Sequence, residues 1–137
     1  MRASDLPAVT TLCEQLGYPA TVDAMTDRFA HLNGRRGECL LVALHGESVV
    51  GWIHARRVDS LESETHAEVW GLVVEDLARS QGVGRALLET AERWAREQGF
   101  VRVRVRSNVI RERAHAFYER AGYDVVKRQA VFEKHLG

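Results

Sequence analysis

Between Leu72 and Arg106 the spacing of apolar residues changes twice, and this limits the chain to few architectures. Leu72-Val73-Val74 is a short apolar run. Val83, Leu87, Leu88, Ala91, Trp94 and Ala95 then recur at helical spacing from Gly82 until Gly99, after which Val101, Val103 and Val105 alternate with Arg102, Arg104 and Arg106. Strand, helix, strand in that order is the crossover that joins parallel strands, which no tight turn can link. The sheet must therefore be at least partly parallel, with the helix on one face.

The preceding segments predict an antiparallel part. Ser4 or Asp5 can cap a helix over about 5–16, with Pro7 in its first turn, Leu6, Val9, Leu12, Cys13 and Leu16 on one stripe, and Gly17 at its end. Thr21 can cap a second helix carrying Val22, Met25, Phe29 and Leu32, stopped by Asn33-Gly34. Cys39–Leu44, a turn at His45-Gly46-Glu47, and Ser48–Arg57 read as a hairpin, and a third strand over 67–74 follows the polar connection 59–65. After the crossover, 111–121 reads as a helix ended by Gly122, and Tyr123–Arg128 and Ala130–Leu136 as two closing strands. The expected fold class is α/β with a mixed sheet, and 137 residues leave room for a single domain spanning 1–137.

Nineteen basic and nineteen acidic side chains cancel, so no overall field draws the chain to nucleic acid or a membrane surface. The alternating arginines lack interleaved aromatics and are expected to face solvent or carboxylates. Charge is uneven locally: residues 38–78 hold eight acids and two bases, and residues 99–137 nine bases and four acids. That division suits an anionic ligand on one side and a cationic one on the other, or simply solvated faces. Cys13 and Cys39 have no metal-like or disulfide-like spacing, and the six histidines show no ligand-like pairing, so no metal site is expected and the compartment reads as cytoplasmic. No apolar run approaches the roughly 20 residues of a membrane span, and Met1–Asp5 lacks the apolar core of a signal peptide, so a membrane partner is not expected.

The chemistry concentrates at residues 72–88, a buried strand, a short loop with glycines at 82 and 84, and a helix start. N–H groups ahead of a helix's first turn have no intrahelical partner, and such a turn binds phosphate. Gly82 and Gly84 let a pyrophosphate approach the backbone while Arg79 and Arg85 flank it; the plainer alternative is a glycine-containing helix start with solvated arginines. The dinucleotide fingerprint would need a small residue where Leu87 stands, and no nucleotide-binding G-x-x-x-x-G-K sequence is present, which removes most support for NAD binding and nucleotide hydrolysis.

Arg79-x-x-Gly82-x-Gly84 resembles the Arg/Gln-x-x-Gly-x-Gly/Ala signature of the GNAT superfamily of N-acetyltransferases, whose loop holds the pyrophosphate of acetyl-CoA. Ala114-His115-Ala116-Phe117-Tyr118-Glu119-Arg120-Ala121-Gly122-Tyr123 is similar to that family's Ala-x-x-Phe/Leu-Tyr-Glu-x-x-Gly-Phe/Tyr helix. With the element order, the resemblance covers nearly the whole chain. It implies an acetyl-CoA-dependent acyltransferase of GNAT-like fold, with an N-terminal first strand short or missing, since only Met1–Ser4 precede the helix where relatives usually carry a strand. Either that edge strand is absent or the true start lies upstream.

By resemblance, cofactor contacts fall to the backbone of Leu72, Val73 and Val74, to Arg79, Ser80, Gln81, Gly82, Val83, Gly84 and Arg85 in the loop, and to Asn108 and Arg111. Many relatives have Asn where Arg111 stands; Arg111 either caps the cofactor's phosphates or merely sits at the helix start, and Asn108 either contacts pantetheine or caps the helix. Acetyl transfer to an amine needs a neutral nucleophile, a stabilised oxyanion and a proton for the departing thiolate. Tyr118 matches the family's general acid: a phenol of ordinary pKa about 10 stays protonated at neutral pH and can donate to a thiolate whose conjugate acid is at about 8.5. Otherwise it is a half-buried aromatic on an amphipathic helix.

Glu68, eleven residues ahead of Arg79, has a spacing similar to the base glutamate of members that use one, although exposed strand glutamates are common. Strand alternation puts Glu68 and Trp70 on one face unless a bulge at Gly71 shifts the register. The acceptor is expected over Gly17-Tyr18-Pro19 and the acidic loop Asp59–Glu64, which favour a small cationic primary amine such as a polyamine, an aminoglycoside or a lysine, with protein acceptors a subclass and a homodimer the oligomeric state that relatives suggest. The competing reading is a catalytically silent acyl-CoA-binding or interaction module of the same fold.

Overall fold

The helical hairpin forms where apolar spacing and caps agree. In the computed structural model, which describes residues 1–107 and 112–137, Leu6, Val9, Leu12 and Cys13 of α1 (Leu6–Gln15) are buried on one side. Gly17, at φ +82°, ends that helix in the left-handed conformation that favours glycine. The Thr21 hydroxyl accepts the Ala24 N–H at 3.0 Å and caps α2 (Val22–Leu32), whose Met25, Phe29 and Leu32 are half-buried.

The chain divides into two compact units, Met1–Arg106 and Ser107–Gly137. The first holds the sheet, in the order β1 (Glu38–His45), β2 (Ser48–Val58), β3 (His66–Val74), β4 (Val103–Val105). β1 and β2 are an antiparallel hairpin in which Gly46, at φ +63°, supplies the positive φ of a two-residue turn. β2 and β3 are antiparallel; β3 and β4 are parallel, joined through α3 (Val83–Glu97), as the change of period requires. No strand precedes β1 among the described residues.

α3 lies over the face that carries Gly51, Ile53 and Ala55, burying Leu87, Leu88, Ala91 and Ala95. A Cβ at Gly51 would stand 3.0 Å from the Val73 carbonyl oxygen and 3.2 Å from Leu87 Cδ1 and Val83 Cγ1, so this glycine lets the first turn of α3 settle on the sheet. The opposite face carries Trp52, His54 and Arg56, with Cys13 of α1 beside Trp52. Burial pushes the Cys13 thiol up, with Trp52 and the Arg28 charge acting the other way, and pushes Cys39 up to about 11.

In the second unit, α4 (Glu112–Arg120) matches the expected helix, with Arg111 outside the described residues. The two closing strands are not formed: residues 123–137 adopt no strand, and Val125, Val126, Val131, Phe132 and Leu136 are exposed. Alternation alone does not make a sheet. A lone two-stranded ribbon is marginal in water, and Arg128-Gln129-Ala130 offers none of the Gly, Asn or Asp that a tight hairpin turn uses. No helix of the described residues is long and apolar enough to cross a membrane.

Candidate active site

The glycine loop is partly helical. Asp76–Gln81 is a 3-10 segment anchored by buried Ala78, where the sequence predicts an irregular loop. It runs into Gly82, whose φ of +78° turns the chain into α3, and a Cβ there would meet nothing within 4 Å. The first bond of the ladder runs from Ala86 N–H to the Gly82 carbonyl at 3.0 Å, which leaves the N–H groups of Val83, Gly84 and Arg85 ahead of it. Arg79 stands at the same turn, with Nε 3.3 Å from the Val74 carbonyl and Nη1 2.9 Å from Asp76. Arg85 pairs with Glu89 at 3.0 Å. Ser80 lies within the 3-10 segment, and exposed Gln81 closes it. Both arginines thus hold carboxylates that an incoming anion would displace. A crevice of about 390 Å³ runs from Gly82 and Val83 along α3 to Leu41 and Leu44 of β1.

β3 opens beside this turn. Its pairing with β4 ends at Val69↔Val105, while the strand continues to Val74 along β2. Trp70 is an extra residue between Val69↔Ala55 and Gly71↔His54, a bulge one position before Gly71, where the sequence leaves room for one. Beyond it, no strand among the described residues covers the β4 side of Leu72, Val73 and Val74. Trp52 lies across Gly71, where a Cβ would be 2.6 Å from its ring.

One face of this sheet is charged. Register places Glu38, Arg56, Glu68 and Arg104 in one row across all four strands. Glu38 accepts from His54 Nε2 at 2.7 Å and pairs with Arg56 at 3.2 Å, and the Arg56 guanidinium lies 5.3 Å from the ring centre of Trp70. Glu68 is only 1% exposed: Arg106 Nε donates to its Oε1, and Oε2 is 3.5 Å from His66 Nε2. His66 Nδ1 is 3.0 Å from the Glu64 carbonyl, which assigns the proton of a neutral ring to Nδ1 and leaves buried Nε2 without a hydrogen-bond partner.

Sequence reasoning missed Arg106 and His66 as neighbours of Glu68. Alternation shows that Arg102, Arg104 and Arg106 share a face, but only the β3–β4 register shows that Glu68 shares it too. Arg57 and Thr65, through their hydrogen bonds, hold the carboxyl of Asp59 below the usual range, and Arg102 stands 3.6 Å from Glu64. The acidity of loop 59–65 is thereby partly neutralised by the protein itself.

In the second unit Tyr118 is half-buried on α4, with edge-to-face contacts to Phe117 at 5.2 Å and Tyr123 at 6.0 Å. Asn108 and Arg111 lie outside the described residues. The structure therefore places Glu68 and the Leu72–Val74 edge on one strand, whose end at Val74 meets the Gly82 turn through Arg79, and places Tyr118 on the helix expected for it.

The family model described as the acetyltransferase (GNAT) family matches residues 7–123. The chain belongs to the GNAT acetyltransferase family. Human N-acetyltransferase 8 is 33% identical over 100 residues, 72% of this chain and 44% of that protein. The aminoalkylphosphonate N-acetyltransferase of Salmonella typhimurium is 33% identical over 119 residues, 82% of this chain and 73% of its own. The chain spans less than half the length of the human relatives it matches. Among solved structures, an aminoglycoside antibiotic 6'-N-acetyltransferase from Acinetobacter haemolyticus superimposes with a TM-score of 0.84 over 100% of this chain and 97% of that one. At 17% identity, that likeness establishes a GNAT fold.

Proposed function

We propose that residues 1–137 work as one GNAT domain that transfers an acetyl group from acetyl-CoA to the primary amine of a small molecule. The observation that carries this is the Gly82 turn: a left-handed glycine with open space above it, N–H groups ahead of the helix ladder, and two arginines at its sides. These residues fit a diphosphate. Arg79, Ser80, Gln81, Gly82, Val83, Gly84 and Arg85 would hold the pyrophosphate, and the uncovered edge of Leu72–Val74 would take the amide-bearing arm, with Asn108 and Arg111 as further contacts.

When bound, acetyl-CoA supplies an acetyl thioester. Glu68 takes the proton of the acceptor ammonium at Oε1 once Arg106 has swung aside, which its half-exposed side chain permits. Backbone N–H groups of Leu72–Val74 stabilise the developing oxyanion, and Tyr118 Oη gives its proton to the leaving sulfur. Attack on the thioester carbon would form the nitrogen–carbon bond and collapse of the oxyanion would break the carbon–sulfur bond; of the two protons the nitrogen loses, one leaves through Glu68 to solvent and the other restores Tyr118, so amide, thiol and one released proton account for all atoms. The acceptor's ammonium suits the acids of this face and of loop 59–65, consistent with relatives named for aminoalkylphosphonate and aminoglycoside acetylation. Protein lysines are a subclass of acceptor in this reading, the cytoplasm its compartment, and a homodimer its assembly.

The test pairs a thermal melt with a thiol-release assay over a broad amine panel. Ligand at about 100 times its Kd adds roughly 2.7 kcal/mol, so acetyl-CoA is expected to raise the melting midpoint by several degrees. No shift in demonstrably empty protein removes the cofactor assignment. A shift without turnover of any amine favours the silent binding module instead.

A further inference from the structure

The charged face of the sheet has one guanidinium too many. Glu38 is matched by Arg56, Glu64 by Arg102 and Glu68 by Arg106, whereas Arg104, half-buried in the same row, has no ion-pair partner among the described residues. A guanidinium partly withdrawn from water without an anion is costly to keep there. What satisfies it best is a planar or tetrahedral oxyanion accepting two parallel N–H bonds. Arg104 is the register partner of Glu68, and neighbouring strands run about 4.8 Å apart. An ammonium at Glu68 and an anion at Arg104 would therefore belong to one small molecule with a short carbon spacer. Trp70, 55% exposed beside Arg56, offers an apolar surface for that spacer.

Building on the acetyltransferase reading, we infer that the acceptor is a short zwitterionic amine, its carboxylate or phosphonate held by Arg104 and its ammonium facing Glu68. This narrows the acceptor class that the acidic loops suggest. The ammonium is retained, but a polycation such as a polyamine would bring a second positive charge against Arg104.

The experiment compares kcat/KM, by thiol release, for a short amino carboxylate, the amino phosphonate of equal chain length, the neutral carboxamide of the carboxylate, and a polyamine. The wild-type protein is expected to prefer at least one anionic acceptor over the carboxamide by about 10- to 100-fold, and the two anionic arms tell carboxylate from phosphonate. Arg104→Gln is expected to bring that ratio near one through KM, with the acetyl-CoA Kd unchanged, and Arg104→Lys to retain part of it. Should Arg104→Gln fail to fold, the wild-type ratio and Arg104→Lys still decide. Preference for the carboxamide or polyamine, or a ratio that survives Arg104→Gln, overturns the inference and leaves the acetyltransferase reading standing. If no amine is turned over, that reading fails instead, and calorimetric titration of both zwitterions into acetyl-CoA-loaded protein decides. Binding that Arg104→Gln abolishes supports the anion site, and absence of binding overturns it.

Discussion

Gly71→Ala is a one-methyl test of the geometry beside the bulge. The added Cβ would stand 2.6 and 2.8 Å from two ring atoms of Trp52, whereas ordinary contact begins at about 3.4 Å, so ring or strand must give by most of an ångström. The ring is rigid and held against the sheet beside Cys13, so it cannot yield as a flexible side chain would. Overpacking of this kind costs about 1–3 kcal/mol. Replacing glycine where φ is not left-handed returns about 0.4–1 kcal/mol by restricting the unfolded chain. The net expectation is a loss of about 1–2 kcal/mol, which for a domain of this size lowers Tm by about 3–7 °C. Differential scanning calorimetry on four proteins separates the contact from everything else: wild type, Gly71→Ala, Trp52→Leu and the double variant. In the Trp52→Leu background the alanine is expected to be neutral or mildly stabilising, a coupling of about 1–3 kcal/mol. A Gly71→Ala protein that melts within a degree of wild type, or equal losses in both backgrounds, would refute the seating of Trp52 on Gly71.

Four further expectations follow from the site and its surroundings. Gly82→Val places a branched side chain at φ +78° over the turn and is expected to weaken acetyl-CoA affinity at least tenfold by calorimetry; unchanged affinity would move the phosphate elsewhere. Tyr118→Phe is expected to lower kcat by about 10²–10⁴ with acetyl-CoA affinity intact, and full turnover would end its role as the acid. Glu68→Gln is expected to lower kcat/KM to a similar extent yet still fold, because the Arg106 side chain is 55% exposed and its charge can turn to water; wild-type rates would exclude Glu68 as base. For Cys39, whose folded pKa of about 11 exceeds the ordinary 9.0, the folded state holds a proton that the unfolded chain has lost. Its contribution to stability is thus full below about 9 and lost as pH rises towards about 11, and Cys39→Ala is expected to flatten urea-measured stability over that window.

The parts legible in the sequence are those decided locally. Thr21 caps α2 through its own hydroxyl, Gly17 and Gly82 turn the chain at left-handed positions, and the change of apolar period at residue 82 demands a crossover whatever surrounds it. The glycine turn was legible for the same reason. Pairing between distant strands decided the rest. Trp70 is extra only relative to β2, Arg106 meets Glu68 only through the β3–β4 register, and Arg104 stands without a counterion among the described residues only once its neighbours are matched with theirs. The stretch 123–137 shows the converse: strand-like alternation is a capacity for pairing, and no strand forms there.

The bulge at Trp70 has a meaning for how such a chain can change over generations. Were Trp70 deleted, Val69 would still sit opposite Ala55 and Gly71 opposite His54, now as consecutive rungs, and every other side chain of β3 would keep its present face. The shortened chain would have the more regular sheet. A single codon could thus be lost without disturbing the pairing of β2 with β3 or the faces of their side chains, and what a lineage that discarded it would lose is the Trp70 ring beside Arg56.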